Sequence, residues 1–198
     1  MSSLVRIVAP AEEPITLDEA RLHLRLDADF TDDDPLVGTL IQAAREYVES
    51  DTHRALLPQT WRLTRDAFPC ENALSLEASD VASVTSFSYV DATGAPTPFA
   101  AYILDADATP ARVVRNFGTT WPNARVQRNA VVVEFERQMA ADPSGIPAKI
   151  KAAMKLLVGH WYENREAVLV DSRAAGITVP LAVDALLAEY RRPAAGIA

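Results

Sequence analysis

The spacing of apolar residues changes twice along this 198-residue chain, and the change limits the fold more than any other feature. In residues 1–57 and 144–198, apolar side chains recur every three or four positions, as in amphipathic helices. In residues 58–143, short runs of β-forming residues are separated by prolines. We therefore expect an α+β protein. Its α-helical core is built from N-terminal and C-terminal helices, and a small antiparallel β unit is inserted between them.

Capping signals predict where the helices begin. Thr16-Leu17-Asp18-Glu19 is a capping box, so a short helix of about ten residues is expected to follow it. A second helix is expected from Asp33 or Asp34, with Pro35 in its first turn, to about Arg54. Further helices are predicted from about residue 146 to 165 and over residues 180–190.

The remaining segments complete the predicted organisation. About six strands are expected in the β unit, near residues 61–65, 83–90, 99–104, 111–117 and 131–135. Residues 166–179 have no firm pattern, so we expect an extended C-terminal arm that ends in the short last helix. The predicted segments are residues 1–57, 58–143, 144–165 and 166–198.

Charge is distributed unevenly along the chain. The formal net charge is −8, of which residues 1–57 carry −7, residues 58–143 carry −3 and residues 144–198 carry +2. A net negative chain is unsuited to simple electrostatic binding of DNA phosphates. This uneven distribution of charge suggests either a solvated acidic face or an assembly subunit whose two ends meet different surfaces.

Other classes of protein are disfavoured by composition. No apolar run reaches the about 18 residues needed to span a bilayer, and the N-terminus does not read as a secretory signal. The single cysteine, Cys70, excludes an intramolecular disulfide.

An acidic cluster between residues 27 and 34 is the first candidate metal site. Its acids begin with the spacing of an EF-hand loop, but Asp32 stands where that loop needs glycine and Gly38 where it needs glutamate. A solvated loop that leads into a helix explains the cluster better. A metal-dependent hydrolase that uses Asp27–Asp34 remains the remote alternative.

No other catalytic motif is present. The histidines form no zinc-hydrolase spacing, and there is no GxSxG, P-loop or GxGxxG sequence. Four arginines around Trp121 could form a nucleic-acid patch with a stacking platform, or an interface rim: Arg112, Arg115, Arg125 and Arg128.

Five motifs occur in an order typical of one family. They are ITLDEARLHLRL (15–26), LIQAAREYVE (40–49), RALLPQTW (54–61), IPAKIKAA (146–153) and LLVGHWYENRE (156–166). Over most of residues 13–192 the chain resembles the head–tail connector (adaptor) family of long-tailed bacteriophages and the related gene-transfer agents. The β region resembles only the longer members.

The resemblance implies a structural role without catalytic residues, metal or cofactor. Family members form a ring, usually of twelve subunits, beneath the portal of a DNA-filled capsid. They join the portal to the next neck or tail component, a stopper or tail terminator, and continue the DNA channel. The expected location is therefore the head–tail neck of a virion or phage-like particle, assembled in the bacterial cytoplasm, with no membrane partner.

Two surfaces follow from this resemblance as expectations. The C-terminal segment is expected to grip the portal through its last helix, with anchors at Leu181, Val183, Leu186, Leu187 and Tyr190. The alternative is that this helix packs on its own core. An acidic channel wall repels phosphates, so we expect Asp27, Asp29, Asp32 and Asp33 to face the DNA that passes without specific binding.

A second neck role stays open. The chain could be a tail-completion or neck protein that contacts the tail tube instead of the portal.

Overall fold

The described structure is a computed structural model that covers residues 2–27, 29–164 and 181–192. These residues form two units, each assembled from separate stretches of chain. The β unit contains residues 2–11, 53–141 and 192, and the helical unit contains residues 12–52, 142–164 and 181–191. The α+β class is confirmed. The four predicted segments stay a prediction, and residues 166–180 of the predicted arm lie outside the described residues.

Two antiparallel sheets make up the β unit. The first has the order β1-β2-β8-β4-β5, with bounds Ser2–Val8, Gln59–Arg65, Val131–Arg137, Val81–Val90 and Pro96–Pro98. The second has the order β3-β7-β6, with bounds Ala73–Ser75, Arg112–Arg115 and Tyr102–Asp105.

Strand β8 shows why this region folds as a sheet. Its residues alternate strictly between buried and half-buried, so Val131, Val133 and Phe135 enter the core while Glu134 lies on the opposite face. There the Glu134 carboxylate accepts from Arg62 Nε on β2 at 2.9 Å. This alternation fixes the register, because a shift of one residue would turn the core side chains outward.

An aromatic cluster fills the other part of the β core. The Phe68 ring stacks on Trp121 with centroids 5.1 Å apart, and Phe87 meets Phe99 edge-on at 5.2 Å. The Trp121 Nε1–H donates to the Glu71 carbonyl at 2.6 Å. Trp121 is therefore half-buried against the β core, with one face covered by Phe68, and is not an open stacking platform for bases.

Three strands were not expected from the sequence. Residues 2–8 form β1, although the segment 1–57 was interpreted as helical, and β3 and β5 have only three residues each. These strands have seven, three and three residues, which are too few positions for an alternation of apolar and polar residues to be recognised. Their conformation is set by pairing with β2, β7 and β4.

Four helices form the helical unit. They are α1 (Leu17–Leu24), α2 (Asp34–Thr52), α3 (Ala148–Glu163) and α4 (Leu181–Leu187), and a 3₁₀ turn over Ala188–Tyr190 follows α4. The predicted capping box is present, since Glu19 N donates to Thr16 Oγ1 at 3.1 Å and Thr16 N donates to Glu19 Oε2 at 3.0 Å. This bond from the Thr16 backbone is the main cause of a lowered Glu19 pKa.

The apolar stripes of α2 and α3 pack against each other. Ile41, Ala44 and Val48 are buried on α2, and Met154 and Leu157 are buried on α3. The valine, leucine, isoleucine and methionine side chains of such a stripe each stabilise a fold by about 1.5–3 kcal/mol when fully buried. No helix in the described part of the chain is long and apolar enough to cross a membrane.

A buried arginine joins the segment before α1 to α2. The Arg45 residue is only 2% exposed, and its guanidinium donates to Glu13 at 2.8 Å and to Glu49 at 3.0 Å. These two carboxylates raise the pKa of Arg45, whereas burial acts to lower it. A charge at this depth is tolerated because both partners are in place.

Helix α4 packs against α3 and α2 of its own chain. Val183 and Leu187 are fully buried there, which stabilises the docked helix by about 3–6 kcal/mol together. Three exposed ion pairs surround this contact: Arg191 with Asp51 at 2.9 Å, Arg191 with Asp184 at 2.8 Å, and Lys149 with Glu189 at 2.8 Å. Solvent screens exposed ion pairs such as these, so the two apolar side chains dominate the stability of the contact.

Replacing Arg45 tests the buried ion-pair cluster. Arg45→Met keeps an apolar stem but leaves Glu13 and Glu49 without their cation. We expect the free energy of unfolding in urea to fall by about 3 kcal/mol, the low end for a broken buried pair, because Glu13 retains solvent contact. The control Glu46→Gln removes the carboxylate of a 46% exposed side chain that lies 3.7 Å from Arg45, and it should change this free energy by less than about 0.5 kcal/mol. Equal effects would contradict the cluster's role.

The titration of Glu189 tests the α4 contact. Lys149 is the main cause of a Glu189 pKa below its ordinary value of 4.5. Because the folded pKa is lowered, this ion pair stabilises docked α4 fully above pH 4.5, and the contribution is lost as pH falls through the folded pKa. We expect Lys149→Ala to raise the Glu189 pKa measured by NMR, while Lys151→Ala leaves it unchanged. An unchanged Glu189 pKa in Lys149→Ala would contradict the docked position.

Candidate functional site

The acidic loop between α1 and α2 is held by one arginine of α1. Arg21 Nη1 donates to both carboxylate oxygens of Asp34, at 3.0 and 2.9 Å. Its Nη2 donates to the carbonyls of Asp27 and Phe30, at 3.0 and 2.8 Å. A guanidinium can serve several acceptors at once because its donors form a fixed fork. Arg21 therefore fixes both ends of the loop to the start of α2.

A tyrosine of α3 holds the same loop from another direction. The Tyr162 hydroxyl donates a hydrogen bond to the Asp33 carboxylate. Asp33 is half-buried as a result, whereas Asp27, Asp29 and Asp32 are exposed. The sequence-predicted acids are thus close together in the chain but differ in environment. Three of them present their carboxylates to solvent, and the fourth is a loop anchor.

The loop does not gather ligands for a metal ion. Among the described residues, no group of three or more His, Cys, Asp or Glu side chains is placed to hold one. Asp34 at the loop's end is bound to Arg21, and Asp33 to Tyr162. The loop geometry therefore provides no support for the metal-dependent hydrolase.

The predicted anchors of the last helix fall into two groups. Val183 and Leu187 are buried within the helical unit, while Leu181 is 87% exposed. Leu186 and Tyr190 are half-buried. In the single chain, α4 thus packs on its own core instead of extending away from it. Leu181 is the one predicted anchor that is almost fully exposed to solvent. Docking on the portal stays a prediction.

Three of the four arginines considered for nucleic-acid binding lie against other residues of the chain. Arg112 pairs with Asp105 at 2.8 Å, and Arg115 donates to Asn72. The Arg125 guanidinium lies beside Gly94 at the β4–β5 turn. Because Trp121 is half-buried against the β core, the proposed nucleic-acid patch lacks its stacking platform, and the interface-rim interpretation stays a prediction.

Sequence reasoning missed the residues that position the acidic loop. Arg21 and Tyr162 act across 13 and 129 positions of chain, respectively. Neither spacing follows a helical or strand period, so no local sequence pattern predicts these contacts. The one available signal was an arginine on α1 that precedes, by six positions, a run of five acids within eight residues; this pattern predicts an ion pair but not which acid forms it.

The first part of the chain matches a known family. Residues 14–85 match the family described as "Phage gp6-like head-tail connector protein". Among curated proteins, no sequence matches the chain.

Solved structures extend the likeness to nearly the whole chain. A chain in the neck of an empty gene transfer agent (GTA) particle, computed with C6 symmetry, is 28% identical with a TM-score of 0.76. A chain in the virion of a native GTA particle is 27% identical with a TM-score of 0.74. A chain in the neck of a native GTA particle, computed with C12 symmetry, is 28% identical with a TM-score of 0.72. Each match covers 96% of this chain and 95% of the other.

These matches confirm the resemblance that the five motifs indicated. They also confirm the expected location, the head–tail neck of a virion-like particle. The matched family is one of structural connectors. Residues 14–85 are therefore similar to the phage gp6-like head–tail connector proteins, and almost the full length of the chain is similar to chains in the necks of gene transfer agents.

Proposed function

We propose that this chain is an adaptor subunit that assembles as a ring of twelve copies. The ring joins the portal to the next neck or tail component, a stopper or tail terminator, and continues the DNA channel. The role is structural and includes no catalysed reaction. The observation that carries the proposal is the likeness to neck chains over 96% of this chain, one of them in a neck computed with C12 symmetry.

The acidic loop would form part of the channel wall. Asp27, Asp29 and Asp32 are exposed, and Arg21 holds the loop that carries them. Fixed carboxylates repel DNA phosphates, so DNA would pass without being held. Asp33 would support this wall through its bond to Tyr162 and not face the DNA directly.

The last helix would be the contact with the portal. Leu181 is solvated in the single chain and is the first anchor available to a partner. Val183 and Leu187 can contact the portal only if α4 first separates from α2 and α3 of its own chain. That separation costs about 3–6 kcal/mol. The free chain therefore keeps α4 docked, and only an apolar groove of comparable area on the portal would replace that contact.

Variants at Leu181 test the portal contact without disturbing the fold. Because Leu181 is 87% exposed, Leu181→Asp should leave the melting temperature nearly unchanged. We expect it to weaken binding to purified portal rings at least about tenfold, as for loss of an anchor worth about 1.4 kcal/mol or more. The matched control Leu181→Met should bind like the unchanged chain.

Separate binding assays distinguish the two neck roles. Immobilised portal and immobilised tail-terminator protein are each offered the same variants. Loss of binding to portal alone supports the adaptor role. Binding to the tail terminator without binding to portal would favour the tail-tube role instead.

Reversing the loop charge tests the channel wall. The triple change Asp27→Lys, Asp29→Lys and Asp32→Lys converts exposed acids to cations without touching the Arg21 contacts. We expect assembled rings of this variant to bind duplex DNA at low salt, with an affinity that falls steeply as salt rises, whereas unchanged rings bind none. The control Asp18→Lys reverses another exposed acid, in the first turn of α1, and should leave DNA binding absent. Equal DNA binding by both variants would contradict the assignment.

A further inference from the structure

The β unit has one long strand edge that nothing in the described part of the chain covers. Strand β1 is at the end of the five-stranded sheet and pairs only with β2. Three of its aliphatic side chains are solvated: Val5 is 54% exposed, Ile7 is 38% exposed and Val8 is 53% exposed. The strand contains neither proline nor lysine, the residues with which proteins commonly protect such edges.

The other edges of the two sheets differ from β1. Strand β5, at the opposite end of the same sheet, has three residues and a proline at both ends. Strand β3 also has only three residues. Strand β6 has four residues and no proline, and its Ile103 is 63% exposed. Among the described strands, β1 and β6 are thus the two edges best able to accept a further strand.

Ring symmetry decides between the possible pairings of these edges. Pairing of β1 with β1 of a second copy is isologous, so it closes as a dimer about a two-fold axis. A ring needs two different surfaces that meet head to tail. We propose that β1 of one copy adds to the outer edge of β6 in the next copy, so that strand pairing links neighbouring β units around the ring. This inference rests on the ring proposed above.

The geometry of both edges suits strand addition. The register places Val5 opposite Arg62 and Val8 opposite Thr60, while Ile7 is the extra residue of a bulge and has no partner on β2. The four residues of β6 limit the shared ladder to about four backbone hydrogen bonds. Ile103 would cover the solvated valines of β1. Backbone hydrogen bonds between the two strands would supply the affinity, and these aliphatic contacts would fix the register.

Cross-linking in assembled rings tests the pairing. The exposed Cys70 is first replaced by serine, so that introduced cysteines are the only thiols. Val5→Cys and Ile103→Cys chains with different tags are then assembled together on portal and treated with a short bismaleimide. We expect a heterodimer between the two tags in most rings. Rings without this product, or with Val5→Cys homodimers in its place, would overturn the inference.

A control residue excludes random reaction. Val126 is fully exposed near the other end of the five-stranded sheet, since its neighbour Arg125 donates from its backbone to Val90 at the end of β4. Val126→Cys paired with Val5→Cys should give less than one-tenth of the product. Equal yields for both pairs would count against β6 as the partner.

A backbone variant provides a second test that does not depend on thiol chemistry. Ile7→Pro removes the backbone N–H of the one residue in this bulge that has no partner on β2. We expect unchanged circular dichroism of the free chain and at least a tenfold loss of ring assembly on portal. The control Ile7→Thr keeps the N–H and should assemble normally, while normal assembly of Ile7→Pro would overturn the inference.

These tests separate the inference from the function it rests on. If the unchanged chain forms no ring on portal, the proposed function fails and the inference fails with it. If the ring forms and the Val5–Ile103 product is absent, only the β1–β6 pairing fails.

Discussion

The packing of α2 on α3 is the contact on which the rest of the helical unit depends. The two helices pack together although more than one hundred residues separate them in the chain, and Ile41, Ala44 and Val48 of α2 and Met154 and Leu157 of α3 are buried. The acidic loop leads directly into α2 and is bound by Tyr162 of α3. Helix α4 packs on both helices. A change that separated α2 from α3 would therefore disturb both surfaces assigned to assembly.

The charge of the chain is arranged by specific cations as well as by composition. Arg45 neutralises Glu13 and Glu49 inside the unit, and Arg21 binds Asp34 at the loop's end. In the loop itself, Asp27, Asp29 and Asp32 are exposed to solvent. The net charge of −7 in residues 1–57 is therefore not a uniform acidic face. It separates into paired carboxylates that stabilise the fold and free carboxylates that can repel phosphates.

The sequence predicted those features that depend on local periods and caps. The capping box at Thr16, the stripe of α2, the start of α3 near Pro147 and the strand that contains Phe135 all follow from spacing within about ten residues. Strand β1 could not be predicted from local spacing, because its conformation depends on pairing with residues 59–65. The Arg21 and Tyr162 contacts were missed for the same reason. The anchors of α4 were identified as an apolar set, yet only the packed structure separates buried Leu187 from solvated Leu181.

The central claim is that this chain forms a ring that surrounds DNA beneath the portal. Electron microscopy of the chain mixed with purified portal tests it most directly. The account predicts a twelve-membered ring stacked coaxially on the portal, with the loop that carries Asp27, Asp29 and Asp32 on the inner wall. A portal without a bound ring, or a ring whose acidic loops face outward, would contradict it.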